Sequence, residues 1–313
     1  VKALVTGGAG FIGSHLCDAL SAEQTEIWCI DNLYLGRIEN IRHLEQNKAF
    51  HFIRMDVLDR ESLDRLFNET GFDFVYHMAA NSDIQAGVQS RDVDLNLTFL
   101  TTFSVLECMA KYNVNNLFFA SSSAIFGDTD ELLHEDSGSL HPISFYGSAK
   151  LASESYIHAF SHHYGIKSWI LRFPNVVGER CTHGVVNDFV SHLKKDPSRL
   201  RILGDGKQNK PYMYVRDLTD AIFFIMKQSD ENVSIFHVSN KGLTTVNEIA
   251  DIIIGEMGLE NVKREYSGGN IGWKGDVPCY NYDTSKIEKL GFKLKYSSTE
   301  AVRKAVRRIL FKE

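Results

Sequence analysis

The sequence predicts an α/β protein: a doubly wound parallel sheet with a smaller C-terminal α/β lobe. Three observations carry this. Short apolar runs alternate with segments of helical apolar spacing through the first half. Those runs are continuously apolar, as strands covered on both faces must be. A glycine-spaced loop joins the first run to the first helical segment.

Taken in order, Ala3–Thr6 reads as a strand and Phe11–Leu20 as a helix. Strands follow at Glu26–Ile30, ending at Asp31, and at Phe50–Arg54. Arg60–Phe67 carries Leu63, Leu66 and Phe67 on one helical face. Phe72–His77 is a strand, Asp94–Lys111 a long helix and Asn116–Ala120 a strand. Ser144–Tyr164 is a second long helix, and Ser168–Phe173 closes the alternation. Beyond residue 174 glycines and polar loops interrupt the pattern, with helices at Asp217–Lys227, Val246–Met257 and Thr299–Leu310. The expectation is a Rossmann-like domain over 1–174 and a mainly substrate-binding lobe over 175–313, some of whose segments return to the core. Ligands of such sheets sit at the carboxyl ends of the strands.

The 313 residues carry 34 Lys+Arg against 40 Asp+Glu, a formal charge of −6, which disfavours bulk nucleic-acid binding. No apolar run reaches the ~18 residues of a bilayer-spanning helix, so no membrane partner is expected. Val1–Thr6 runs straight into glycines, unlike a signal peptide. The five cysteines form no Cys-x-x-Cys pair, which fits reduced thiols, mostly buried, in a cytoplasmic protein. His162-His163 are adjacent and, with His183, make no ligand pattern, so no metal is expected.

The loop Thr6-Gly7-Gly8-Ala9-Gly10-Phe11-Ile12-Gly13 follows a strand and opens a helix. Glycines at 7, 10 and 13 let backbone N–H groups approach a pyrophosphate at a helix N-terminus. Asp31 ends the second strand 18 residues after Gly13, where a carboxylate accepts from ribose hydroxyls and repels a 2′-phosphate. NAD is therefore expected, although Arg37 could meet a 2′-phosphate. Asn32, Asp56 and Val57 follow strand ends and suit the adenosine half. Ala79 and Ala80 suit the dinucleotide.

Tyr146 and Lys150 stand one helical turn apart. A phenol of ordinary pKa near ~10 is a poor base at neutral pH. A nearby lysine and a positive nicotinamide ring would lower it, so that it could exchange a proton with a sugar hydroxyl. The spacing alone is common: Tyr282-x-x-x-Lys286 repeats it and reads as surface and helix-start residues. Context singles out Tyr146, because 24 residues before it the Asn116–Ala120 strand runs into Ser121-Ser122-Ser123. A hydroxyl there can bond the reacting oxygen, or three serines can cap a turn.

Together these residues closely resemble the extended short-chain dehydrogenases/reductases of the sugar-nucleotide epimerase/dehydratase branch, over essentially the whole chain. Aligned on Ile125-Phe126-Gly127, the resemblance puts the catalytic hydroxyl on Ser122, with Ser123 next in line. It makes Ser122, Tyr146 and Lys150 catalytic. It assigns Gly7, Gly10, Phe11, Ile12, Gly13, Asp31, Asn32, Asp56, Val57, Ala79, Ala80, Tyr146 and Lys150 to the cofactor. It assigns Ser123, Asn175, Lys210 and Asp276 to a nucleotide-diphosphate sugar. Where the branch's 4,6-dehydratases carry Asp-Glu, this chain has Ser123-Ala124, so the elimination acid and base are missing. Lys210 stands where an Arg commonly grips the diphosphate, and Trp273 replaces an Arg of galactose epimerases. Asn81-Ser82 falls where those epimerases have a Lys, and Tyr280 narrows the space around a C2 substituent.

The resemblance implies C4 inversion through a transient 4-keto sugar. A 4-reductase or 4-dehydrogenase would use the same three residues, whereas a non-catalytic dinucleotide-binding protein would need none of them. It also implies a homodimer through a four-helix bundle built from Asp94–Lys111 and Ser144–Tyr164. Phe99, Phe103, Leu106 and Met109 would then be either interface or core.

Overall fold

In the computed structural model, residues 1–272 and 275–311 are described; Trp273 and Lys274 lie outside them. The strands of the first half are β1 (Lys2–Thr6), β2 (Glu26–Asp31), β3 (Phe50–Arg54), β4 (Phe74–His77), β5 (Asn116–Ala120) and β6 (Lys167–Arg172). They pair in the order β3-β2-β1-β4-β5-β6, and Val233–His237 adds a seventh strand beyond β6. The registered pairs β1–β2, β1–β4, β2–β3, β4–β5 and β5–β6 are all parallel. The strand order reverses between β1 and β4, the place in a doubly wound sheet where ligands bind.

Two compact units emerge. The first contains residues 1–125, 142–172 and 222–236; the second contains 126–141, 173–221 and 237–313. Residues 126–141 therefore group with the second unit although they precede Tyr146. In the first unit Leu4, Ile30, Val75, Leu117, Phe119 and Ile170 of the sheet pack with Leu63, Phe67, Leu106, Met109 and Ile157 of the helices. Leu106 and Met109 are thus core. Phe99 and Phe103 stay half-buried, their rings edge-on to Tyr156.

Local chemistry explains the helix limits. Asp59 caps Arg60–Thr70 by accepting from Ser62 N–H at 3.2 Å, and Gly71 ends that helix in the left-handed region at φ +67°. Ser144 caps Phe145–Tyr164 by accepting from Gly147 N–H at 3.0 Å.

Three expectations are corrected. The helix predicted over Asp94–Lys111 begins at Asp92 and winds as a π-helix from Leu95 to Leu100; apolar spacing does not register one extra residue per turn. Asp92–Lys111 is also long and apolar enough by composition to cross a bilayer, and half of it is buried inside the protein. Val185–Lys195 forms a helix that sequence periodicity did not single out, burying Val186, Phe189, Val190 and Leu193.

The first helix, Phe11–Ala22, must approach the β1 loop closely. A Cβ on Gly13 would stand 2.2 Å from the Gly7 carbonyl oxygen, a backbone atom with little freedom. Gly13→Ala is expected to lower stability by about 1–3 kcal/mol. Urea unfolding checks this, and a wild-type midpoint would contradict it.

Candidate active site

The residues expected at the cofactor stand at the carboxyl ends of β1, β2, β3 and β4. Gly7 adopts φ +67°, and a Cβ there would lie 2.8 Å from the Ala79 backbone. The first helix, Phe11–Ala22, has Gly10 at its N-cap and no side-chain cap, so its first turn points its N–H groups where an anion could take them. Asp31 is 7% exposed and accepts from Ala9 N–H at 3.0 Å and Leu33 N–H at 2.8 Å. Burial raises its pKa against these bonds. Each carboxylate oxygen keeps a lone pair for a ribose hydroxyl. Asn32 donates to Asp56 Oδ2 at 3.0 Å, which joins the two residues expected at the adenosine end. Phe11, Ile12 and Ala80 are half-buried around the same loops, and Val57 is buried. A dinucleotide cradle without side chains at its turns, an open helix N-terminus and a ribose carboxylate together fit NAD.

Beneath the cradle lies buried His77. Its Nδ1 is 2.7 Å from Thr6 Oγ1 and its Nε2 is 3.0 Å from Thr102 Oγ1. Ala79 N–H donates to Thr6 Oγ1 at 3.2 Å, so this chain holds the β4 loop. Burial, then the charge of Lys150, pulls the imidazole down to about 3 and keeps it neutral.

Tyr146 and Ser122 meet through a side-chain hydrogen bond. Close approach requires glycine at 147, because a Cβ there would lie 2.2 Å from the Ala124 carbonyl oxygen. Lys150 is 3% exposed; its Nζ donates to the Ala120 carbonyl at 2.6 Å. The same ammonium sits 4.7 Å from the Phe119 ring centre and 5.8 Å from that of Tyr146. Burial pulls Lys150 down to about 7, against the charges of Glu154 and Asp94. Burial pushes the Tyr146 phenol up to about 12, with Asp94 adding to the rise and the Ser122 bond opposing it. The lowering expected from the lysine is not what sets the phenol in the protein alone: burial does, because removing each group from water penalises its charged form.

In the second unit Lys210 and Asp276 form a buried ion pair, Nζ to Oδ1. The local positive charge expected at Lys210 is therefore matched by a residue 66 positions away. Exposed Asn175 pairs with Tyr212 between parallel strands, and its side chain bonds the Tyr212 phenol. Ser123 begins a short 3₁₀ turn in the first unit, half-buried. Tyr282, expected at the surface, is 5% exposed and lies edge-on to His237 at 4.8 Å. Cys279 is exposed and Cys181 half-buried, unlike the other three cysteines.

Sequence reasoning missed Asp94, Glu154 and the Glu154–Arg172 pair. The available signal was Glu154 standing one turn beyond Lys150 on the buried face of the helix.

A Rossmann sheet with this Ser/Tyr/Lys set defines an extended short-chain dehydrogenase/reductase. The profile of the NAD-dependent epimerase/dehydratase family matches residues 3–239, and the chain belongs to that family. A Methanocaldococcus jannaschii protein, provisionally named a UDP-glucose 4-epimerase, is 33% identical over 308 residues, covering 97% of this chain and 96% of its own. The crystal structure of a Thermotoga maritima UDP-glucose 4-epimerase with UDP-glucose superposes with TM-score 0.89 at 30% identity, covering 98% of both chains. UDP-glucuronic acid decarboxylase 1 of Arabidopsis thaliana is 30% identical over 81% of this chain and 58% of its own length.

Lys150 makes stability pH-dependent. The unfolded lysine holds its proton to about 10.4, whereas the folded one releases it near about 7. Between these values the folded chain binds fewer protons, so stability rises with pH. The stability difference between wild type and Lys150→Met should therefore grow in favour of wild type from pH 7 to pH 9 in urea unfolding. A constant difference would refute the buried-lysine titration.

Proposed function

We propose that this protein is a nucleotide-sugar 4-epimerase. The observation that carries the reading is the Ser122–Tyr146 hydrogen bond beside buried Lys150, in a chain whose next two positions are Ser123 and Ala124. That set can move a hydroxyl proton but lacks an acid–base pair for eliminating water.

The glycine loop, Asp31, Asn32 and Asp56 hold NAD, which supplies a hydride acceptor and donor for the sugar C4 and a positively charged nicotinamide ring. Tyr146 takes the C4 hydroxyl proton and later returns it. Ser122 bonds the reacting oxygen and keeps it in line with the phenol. Lys150 offers positive charge to the phenolate, offsetting the rise that burial imposes on Tyr146. Turning of the 4-keto sugar about its phosphate linkage presents the opposite face, so C4 returns inverted. Asn175, Lys210, Asp276 and Ser123 are the substrate contacts in this reading. An ion pair at Lys210 suits a ligand that shares the lysine with Asp276 rather than one captured by free charge.

The same reading makes the protein a cytoplasmic homodimer. Among the described residues no two cysteines are joined in a disulfide. Exposed Leu95 and Tyr156, with half-buried Phe99 and Phe103, give helices 92–111 and 145–164 an apolar outer face suited to a four-helix bundle.

The test is incubation of the purified protein with UDP-, GDP-, CDP- and dTDP-sugars, without added cofactor, with products followed by NMR. C4 inversion is expected. Turnover only with added NADH and a 4-keto sugar would replace this reading with a 4-reductase, and carbon dioxide release from UDP-glucuronate with a decarboxylase. Tyr146→Phe should retain NAD while turnover falls about 10²–10⁴-fold; near wild-type turnover would exclude Tyr146 as the base.

A further inference from the structure

Three residues on successive turns of the Phe145–Tyr164 helix meet three consecutive residues at the end of β5. Tyr146 meets Ser122, Lys150 meets the Ala120 carbonyl, and Glu154 Oε1 accepts from Ser121 Oγ. Arg172, at the end of β6, closes the set from the other side. Its Nη2 is 2.7 Å from Glu154 Oε2 and its Nε is 3.1 Å from Glu154 Oε1. Ser121 N–H also donates to the Leu171 carbonyl at 2.9 Å. Ser121, Glu154 and Arg172 are each no more than 4% exposed.

A buried ion pair is a poor source of stability, because both ions lose their hydration and an apolar pair of similar volume often serves as well. Fork-to-carboxylate geometry does supply direction and a fixed charge. Here the direction is toward the serine preceding Ser122, and the charge stands one turn from Lys150.

We propose that the buried Glu154–Arg172 pair is the positioning device of the active site: it pins Ser121, and through it Ser122, against Tyr146, and it gives Lys150 its counter-charge. The inference rests on the acid–base roles proposed above for Ser122, Tyr146 and Lys150. The groups facing Lys150 are Tyr146 and Glu154 on its own helix, Asp94 from the 92–111 helix, neutral His77 from β4 and the Phe119 ring from β5. Asp94 already binds Asn81 Nδ2 at 2.9 Å. The Arg172 guanidinium is engaged by Glu154.

Two variants of the full-length, NAD-loaded protein test this, Glu154→Gln and Ser121→Ala. Kinetics are read against pH, and the Lys150 titration is read by NMR of ¹³Cε-lysine protein, its signal assigned by its loss in Lys150→Arg. Glu154→Gln should lower kcat about tenfold or more at unchanged KM. It should also lower the Lys150 midpoint by about one pH unit or more, and the alkaline limb of the rate profile should follow. Ser121→Ala should lower kcat about three- to tenfold, leaving KM and the Lys150 midpoint unchanged. A Glu154→Gln protein that only melts earlier, with kcat, alkaline limb and Lys150 midpoint as in wild type, overturns the proposal. If Glu154→Gln does not fold, Ser121→Ala decides, and wild-type kcat there overturns it. If wild type epimerises no nucleotide sugar, the proposed function fails instead. The Lys150 midpoint needs no substrate, so an unmoved midpoint in Glu154→Gln still overturns the inference and a lowered one sustains it.

Discussion

Lys150 is held out of water at the carboxyl end of β5, with its ammonium on the Ala120 carbonyl. Removing that charge from solvent is costly, and the surrounding fold is arranged around the compensation. A carbonyl and an aromatic face meet the nitrogen, and the charges of Glu154 and Asp94 favour its protonated form. The helix that carries it buries a stripe of Lys150, Ser153, Glu154 and Ile157, so that stripe is mostly polar. That face would be unfavourable against an ordinary apolar sheet; it is tolerated because the Ala120 carbonyl and Ser121 at the end of β5 and Arg172 at the end of β6 meet it.

The cofactor end obeys the same constraint from the other side. Thr6, His77, Thr102 and Ser153 form a buried hydrogen-bonded chain from the β1 terminus to the catalytic helix. Every member is neutral, since Lys150 and burial together keep His77 unprotonated. A neutral scaffold leaves the lysine as the local cation and leaves Asp31, at the far end of the loop, as the local anion toward a ribose. The glycine loop and Tyr146 are thereby tied to one layer of strand ends, as the proton transfer proposed for Tyr146 would require.

Charge pairing also decides what the second unit offers. Lys210 and Asp276 neutralise each other within it. In the reading proposed above, a diphosphate at this pair would compete with Asp276 for the lysine, so recognition would depend on rearranged hydrogen bonds more than on net attraction. For a protein of net charge −6, recognition of an anion by local geometry is the physically consistent route.

The strands and helices of the first half, the glycine loop, Asp31 and the Tyr146/Lys150 turn were legible in the sequence because each follows from short-range physics. Apolar periodicity selects the element, a missing Cβ permits the turn, and i, i+4 spacing puts phenol and ammonium on one face. The Glu154–Arg172 and Lys210–Asp276 pairs and the π-turn at Leu95–Leu100 were decided only by tertiary structure. So were the directions in which Tyr146 and Lys150 are shifted, because burial is a property of the assembled sheet and not of the residue. Sequence alone could say that a base and a cation stand together; the fold determined how much water each loses, and hence how much compensation the phenolate needs.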